Sequence, residues 1–226
     1  MRLGVLFSGG KDSTLALVKA MEKEDVVCLI TLRSKNPESY MFHTPNISIA
    51  KLQAEAIGLP LIEKETLGEK EKELVELKEA ISEARKKHKI DGVVTGAVES
   101  AYQSERVQKI CDELGLWCFN PLWKADQEAL LRETVSLGFK TMISGVFAYP
   151  LDKSWLGRII DEKTISELVL MRDKHRISPT GEGGEIETTV LDAPFFRKKI
   201  EVIDSQIAWD KNSGVFVIKN ARIVDR

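Results

Sequence analysis

The chain has little of the chemistry that marks secreted, membrane-spanning or nucleic-acid-binding proteins. It holds three cysteines in 226 residues and no CxxC pair, which excludes a disulfide framework and leaves zinc unsupported. No apolar run approaches the roughly 18 residues of a transmembrane helix, and a strand pattern begins where a secretory signal would stand. A net charge of −2 argues against a strongly basic surface for nucleic acid. We therefore expect a cytoplasmic protein with buried, reduced thiols.

Strand and helix periods alternate through the first half of the chain, which predicts a parallel sheet covered by helices on both faces. The predicted strands are Leu3–Phe7, Val26–Leu32, Leu61–Lys64, Gly92–Thr95 and Leu116–Phe119. The predicted helices are Ser13–Met21, Asn46–Ile57, Glu69–Lys87 and Ala101–Leu114. The expected fold class is α/β, with a five-stranded parallel sheet.

The pattern changes near Leu122, where we place a domain boundary between residues 1–122 and 123–226. The second part is predicted to be a smaller α+β domain whose strands pair mainly antiparallel, because its last two strands flank a hairpin connection at residues 210–214. Its predicted helices are Asp126–Leu137 and Asp161–Arg172, and its predicted strands are Thr141–Val146, Thr188–Leu191, Ile200–Ala208 and Val215–Val224.

The most informative segment is the turn between the first predicted strand and helix, which reads Ser8-Gly9-Gly10-Lys11-Asp12-Ser13. Such a turn directs free backbone N–H groups and a helix dipole at one point, which makes an anion site. Lys11 adds a charge suited to phosphate. The spacing does not fit the Walker A loop, because Gly10 stands where that motif has its lysine and Lys11 is followed by Asp12. It does not fit the dinucleotide fingerprint either, because Gly9 and Gly10 are adjacent. A plain turn capped by Asp12 and Ser13 is the alternative.

A second unusual segment reads Gly181-Glu182-Gly183-Gly184-Glu185-Ile186-Glu187-Thr188. If a strand starts at Glu185, that residue and Glu187 share a face. Like charges so close together need a positive partner such as Mg²⁺, a substrate ammonium or a basic side chain. The alternative is a solvated acidic turn.

Taken in order, these segments resemble a known family. The Ser8–Ser13 turn resembles the pyrophosphate-binding loop of the N-type ATP pyrophosphatases, whose adenine nucleotide alpha hydrolase-like fold fits the predicted sheet. With the segments Ser39–His43, Gly96–Gln103 and Gly181–Thr188 in this order, the chain resembles the diphthine–ammonia ligase family. The Gly181–Thr188 motif is the one that narrows the resemblance to that family. That family usually has tyrosine where this chain has Ile186. Because residue 186 points away from its neighbours on a strand, we expect consequences for packing.

The resemblance implies that the carboxylate of diphthine on translation elongation factor 2 is adenylated by ATP with Mg²⁺, and that ammonia then displaces AMP. It assigns to the nucleotide Ser8, Gly9, Gly10, Lys11, Asp12, Ser13, Gly96 and Ser100. It assigns to the substrate Tyr102, Gln103, Arg106, Gly183, Gly184 and Thr188. It implies catalytic roles for Lys11, Asp12, Glu182, Glu185 and Glu187, with Asp12 also a candidate metal ligand and the glutamates facing ammonium or the trimethylammonium of diphthine.

Five matters stay open at this point. Relatives with similar first loops modify tRNA, although the near-neutral charge and the core-like positions of Cys28, Cys111 and Cys118 argue against that alternative. A nucleotide sensor without catalysis would leave the second domain unexplained. Because no glutaminase machinery is visible, free ammonium is the expected nitrogen source. A homodimer is left open, and His43 stands in a loop that could border the nucleotide.

Overall fold

The structure is a computed structural model that describes residues 1–36, 45–69 and 71–226. The Ser39–His43 segment of the family resemblance, with His43, lies outside the described residues. The first part of the chain forms a parallel sheet whose strands lie in the order β3-β2-β1-β4-β5. Its strands are β1 (Arg2–Leu6), β2 (Asp25–Ser34), β3 (Leu61–Thr66), β4 (Gly92–Val94) and β5 (Trp117–Phe119). The predicted parallel sheet is therefore confirmed.

Four helices connect these strands, and their ends follow local sequence signals. They are α1 (Lys11–Met21), α2 (Ala50–Ile57), α3 (Glu73–His88) and α4 (Ala101–Leu114). Gly58 and Gly115 end α2 and α4 in the left-handed region, with φ of 82° and 63°. The predicted helix at 46–57 was too long, because Asn46 has φ of 63° and a short 3₁₀ turn, Ile47–Ile49, precedes α2.

The second part of the chain forms an antiparallel sheet in the order β7-β6-β9-β8. Its strands are β6 (Lys140–Val146), β7 (Ile186–Asp192), β8 (Lys199–Asp210) and β9 (Ser213–Val224). Helices α5 (Gln127–Ser136) and α6 (Glu162–His175) belong to this part. Asp126 and Asp161 cap them as N-cap residues, each accepting a backbone N–H.

One hydrophobic core connects the two sheets. Its buried members include Val5 and Leu15 from the first part, Val190 and Phe196 from the second, and Leu122 between them. β5 ends at Phe119 and β6 begins at Lys140, so the chain changes sheet between these residues, while the apolar interior runs across the change. The domain boundary at residue 122 stays a prediction. In the described ranges no helix has the length and apolar character needed to cross a lipid bilayer.

Candidate active site

The candidate site lies where the order of the parallel sheet reverses. β1 connects to β2 on one side, whereas β4 pairs with β1 on the other. The loops after β1 and β4 therefore diverge from two neighbouring strand ends, which is the usual ligand position in such sheets. They line a cleft of about 650 Å³. Sequence reasoning had predicted this shared rim for the Ser8–Ser13 loop and the segment that begins at Gly96.

The loop after β1 leaves the first turn of α1 open toward this cleft. The helix begins at Lys11, and Gly10 provides no side-chain cap. Ser13 is used inside the loop, where its hydroxyl lies 3.1 Å from that of Ser8. Within the described parts of the chain, the N–H groups of Asp12 and Ser13 meet no acceptor. The alternative of a plain turn capped by Asp12 and Ser13 is therefore wrong, and the N–H groups remain available for an anion.

Gly9 shapes this loop because of its conformation and its neighbour Gln53. Gly9 has φ of +78°, and a Cβ there would stand 2.0 Å from the side-chain oxygen of Gln53. The Gln53 side-chain amide donates to the carbonyl oxygens of Gly9 and Val190, each at 2.8 Å. The N–H of Val190 also donates to Gly9, at 2.9 Å. Strand β7 of the second sheet thus holds the loop after β1 in place.

Lys11 joins the loop to the glutamate-rich segment. Its backbone N–H donates to the Thr188 hydroxyl at 3.1 Å, and its buried ammonium donates to the carbonyl of Thr180 and to Asp12, the latter at 2.8 Å. Burial alone lowers the pKa of Lys11. Asp12, Glu182 and Glu187 outweigh that effect, and the net pKa is raised. Lys11 is therefore a fixed positive charge inside the cleft.

The loop after β4 plays a more structural part than expected. A Cβ on Gly96 would stand 2.7 Å from the backbone nitrogen of Ser13, so glycine is needed for close contact with α1. The resemblance assigned Gly96 to the nucleotide, but its contact with the backbone of α1 is enough to account for a glycine at this position. Ser100 is the N-cap of α4 and accepts the N–H of Gln103 at 3.3 Å. Both Gly96 and Ser100 nevertheless line the cleft.

The three motif glutamates have different surroundings. Glu182 accepts the N–H of Glu99 at 3.2 Å, which joins its loop to the loop after β4. Glu185 accepts the N–H groups of Ser178 at 2.8 Å and Gly183 at 2.9 Å, so it holds its own loop together. β7 begins at Ile186, so Glu185 lies just before the strand and the condition under which Glu185 and Glu187 would share a strand face is not met. Glu182 and Glu187 line the cleft, whereas Glu185 lines a neighbouring depression that Glu182 also borders.

Glu187 is the most perturbed of these acids. Burial raises its pKa to about 7, with Lys11 opposing the rise and Asp12 and Glu182 adding to it. Burial and the charge of Asp12 also raise the pKa of Glu182. Within the described residues the Glu187 carboxylate makes no hydrogen bond. The cleft therefore contains a carboxylate that gains or loses a proton near neutral pH, and such groups cluster at functional sites.

The three residues of α4 that the resemblance assigns to the substrate have different surroundings. Gln103 lines the cleft, as expected. Tyr102 and Arg106 instead hydrogen-bond Glu71 at 2.9 and 3.0 Å, and the Arg106 guanidinium lies 3.3 Å from the centroid of the Tyr102 ring. Tyr102 lines the neighbouring depression. Arg106 is thus bound in an ion pair, which differs from the expectation that it faces the acceptor.

The remaining residues of the Gly181–Thr188 motif lie in the turn before β7 and at the start of that strand. Gly184 has φ of +81° and Gly183 is exposed, and both line the cleft. Thr188 is buried and accepts the N–H of Lys11. Ile186, at the family's usual tyrosine position, is 3% exposed and packs into the core of the second part. Ile186 also lines the cleft, so the departure at residue 186 concerns both the packing of this core and the wall of the cleft.

Sequence reasoning missed three residues of this site: Gln53, Phe147 and Thr180. Gln53 lies in a helix and Phe147 follows a strand, and neither position carries a local signal of function. Thr180 directly precedes the glutamate-rich segment, and this position beside the motif is the sequence signal that could have identified it. Their roles depend on the contact of the second sheet with the first loop, which no pattern along the chain reveals.

Comparison with known proteins finds family matches over most of the chain. The family model for the diphthamide synthase N-terminal domain matches residues 1–118, and that for the C-terminal domain matches residues 126–224. The diphthine–ammonia ligase of Mus musculus is 36% identical over 96% of this chain and 88% of its own length. That of Schizosaccharomyces pombe is 31% identical over 97% of this chain but only 39% of its own length.

A solved structure, a predicted tRNA methyltransferase subunit from Methanocaldococcus jannaschii, covers 86% of this chain and 98% of its own at 18% identity and a TM-score of 0.44. A similarity that low carries no functional argument. The two family models cover nearly all of the chain and include both walls of the cleft. The protein belongs to the diphthamide synthase family.

Proposed function

We propose that this protein is an ATP-dependent ligase that amidates diphthine on translation elongation factor 2, giving diphthamide, AMP and pyrophosphate. The observation that carries the proposal is the junction at Lys11. There the N-terminus of α1 and the glutamate-rich segment meet through hydrogen bonds to Thr180 and Thr188 and form one cleft. An anion site and a carboxylate-rich wall thus face the same space, as a reaction between ATP and a cationic acceptor requires.

The phosphates of ATP are assigned to the first turn of α1. The free N–H groups of Asp12 and Ser13, the helix dipole and Lys11 all favour negative charge there. The adenine base is assigned to the apolar side of the same cleft, which Leu6, Ile30 and Leu32 line. This arrangement leaves the α-phosphate between the phosphate loop and the glutamates.

Magnesium fits this site only as a companion of ATP. No group of three metal-ligating side chains occurs in the described residues. Asp12 lies in the cleft beside the open N–H groups, and one carboxylate together with substrate phosphates and waters is the usual protein environment of Mg²⁺. When bound, the ion would neutralise phosphate charge. Asp12 would exchange its contact with the Lys11 ammonium for this role.

The chemistry then needs two displacements. A carboxylate oxygen of diphthine attacks the α-phosphorus of ATP, and the bond to pyrophosphate breaks. Ammonia next attacks the acyl carbon, the bond to AMP breaks, and the nitrogen releases a proton. Lys11 offsets the charge that develops on the departing pyrophosphate. Glu182 and Glu187 attract the cationic partners, which are ammonium and the trimethylammonium group of diphthine.

We place the reaction in the cytoplasm, with free ammonium as the nitrogen source. The direct test incubates elongation factor 2 carrying diphthine with ATP, Mg²⁺ and ammonium. AMP and pyrophosphate should form. The mass of the acceptor should fall slightly, because an NH₂ group replaces the hydroxyl group of its carboxyl. ADP as the product, or AMP formation independent of the acceptor, would refute the proposal. Lys11→Ala should abolish turnover, whereas the exposed Lys23→Ala should retain it.

A further inference from the structure

We propose that Phe147 recognises the quaternary ammonium of the acceptor, together with the carboxylate of Glu187. The inference rests on the proposed function and adds a side chain to which neither the sequence motifs nor the family match assign a role. Phe147 follows β6 directly, is 37% exposed and lines the cleft. Its N–H donates to the carbonyl of Glu185 at 2.9 Å, which fixes its backbone to the glutamate-rich segment.

Gly145 places the Phe147 ring beside Glu187. Gly145 and Glu187 are directly opposite on the antiparallel strands β6 and β7. A Cβ on Gly145 would stand 2.6 Å from the ring of Phe147 and 3.0 Å from the Cβ of Glu187. The ring therefore occupies the space that any other residue at position 145 would fill, and it lies next to the Glu187 side chain.

This pairing has the chemistry of a site for a quaternary ammonium. Such a cation has no N–H to donate, so directed hydrogen bonds cannot hold it. An aromatic ring and a carboxylate attract it instead, and choline and methyl-lysine are bound in this way. The Glu187 carboxylate is free of hydrogen bonds within the described residues, whereas Glu182 and Glu185 each accept backbone N–H groups. Glu187 is thus the motif glutamate left to face a ligand.

The opposite side of the cleft already suits the adenine base. Leu6, Ile30 and Leu32 belong to the parallel sheet, whereas Phe147 and Glu187 belong to the antiparallel one. Stacking of Phe147 on adenine is the competing role, and it predicts a different kinetic change. Loss of a quaternary-ammonium contact raises KM for the acceptor, but loss of adenine stacking raises KM for ATP.

The test compares two acceptors. One is elongation factor 2 with diphthine, and the other carries the same side chain with a primary ammonium in place of the trimethylammonium. Phe147→Ala should raise KM for the trimethylated acceptor about tenfold and reduce the preference over the unmethylated one. KM for ATP should stay within about twofold, which also shows that the variant folds. Phe147→Tyr keeps a ring and should behave like the wild type.

Tyr149→Ala is the matched control, because Tyr149 lies two residues further on, is 77% exposed and lines a different depression. Gly145→Ala is a second route, since it keeps Phe147 but displaces its ring. An unchanged acceptor KM in Phe147→Ala, an equal loss with both acceptors, or a rise confined to KM for ATP would overturn the inference. Failure of the wild type to make diphthamide would refute the proposed function itself.

Discussion

Gln53 donates its side-chain amide to the carbonyl of Gly9 at 2.8 Å, and the same amide group also reaches the carbonyl of Val190. One buried side chain of α2 therefore connects the phosphate loop of the first sheet to strand β7 of the second. The arrangement makes the shape of the loop dependent on the packing of both sheets. It also explains why Gly9 lacks a side chain, because the Gln53 oxygen occupies that space.

Gln53→Met should destabilise the protein by about 2 to 3 kcal/mol, because it removes two buried hydrogen bonds and leaves the Val190 carbonyl without this donor. The free energy of unfolding in urea measures the effect. Gln108→Met is the matched control, since Gln108 is exposed and its side-chain amide donates to Asp112 on its own helix. Equal losses in the two variants would contradict the role assigned to Gln53.

Gly96→Ala should raise KM for ATP at least about tenfold, because its Cβ would press on the backbone of Asp12 and Ser13 and displace the open N–H groups. Steady-state kinetics with varied ATP measure this. Gly115→Ala provides the comparison. Gly115 has φ of +63° with open space around it, so alanine there should cost about 1 kcal/mol of stability and leave KM for ATP unchanged.

Glu187 should make the unliganded protein less stable as the pH rises from about 4.5 to 7. Its pKa is about 7 in the folded protein against an ordinary value of 4.5, so over this range the folded state holds a proton that the unfolded state has lost. The penalty is complete above pH 7 and amounts to at most about 3 kcal/mol. Glu187→Gln should reduce this slope in urea unfolding and leave the part that the raised pKa of Glu182 contributes, and an unchanged slope would contradict the assignment.

Glu185 should act through the conformation of its loop. Glu185→Ala removes the acceptor for the N–H groups of Ser178 and Gly183, so KM for the elongation factor should rise while KM for ATP changes little. Glu185→Gln keeps one carbonyl acceptor and should recover part of the loss. A Gln variant as impaired as the Ala variant would instead indicate that the negative charge of Glu185 is required.

The sequence predicted the parallel sheet and the open loop well, because both depend on local periodicity and glycine placement. The rim shared by the loops that begin at Ser8 and Gly96 also followed from the direction of parallel strands. Tertiary contacts decided the rest. Sequence patterns could not show that Arg106 pairs with Glu71, that Glu185 bonds to Ser178, or that the second sheet brings Phe147 to the cleft.

The core that runs from Val5 through Leu122 to Phe196 has a consequence for how the protein can be divided. The two sheets are separate as hydrogen-bonded units. The two family models match the chain on either side of residue 122. A cut after residue 122 would nevertheless expose apolar surface on both fragments. Each half would then depend on the other for solubility, and the complete cleft would form only where the fragments associate again.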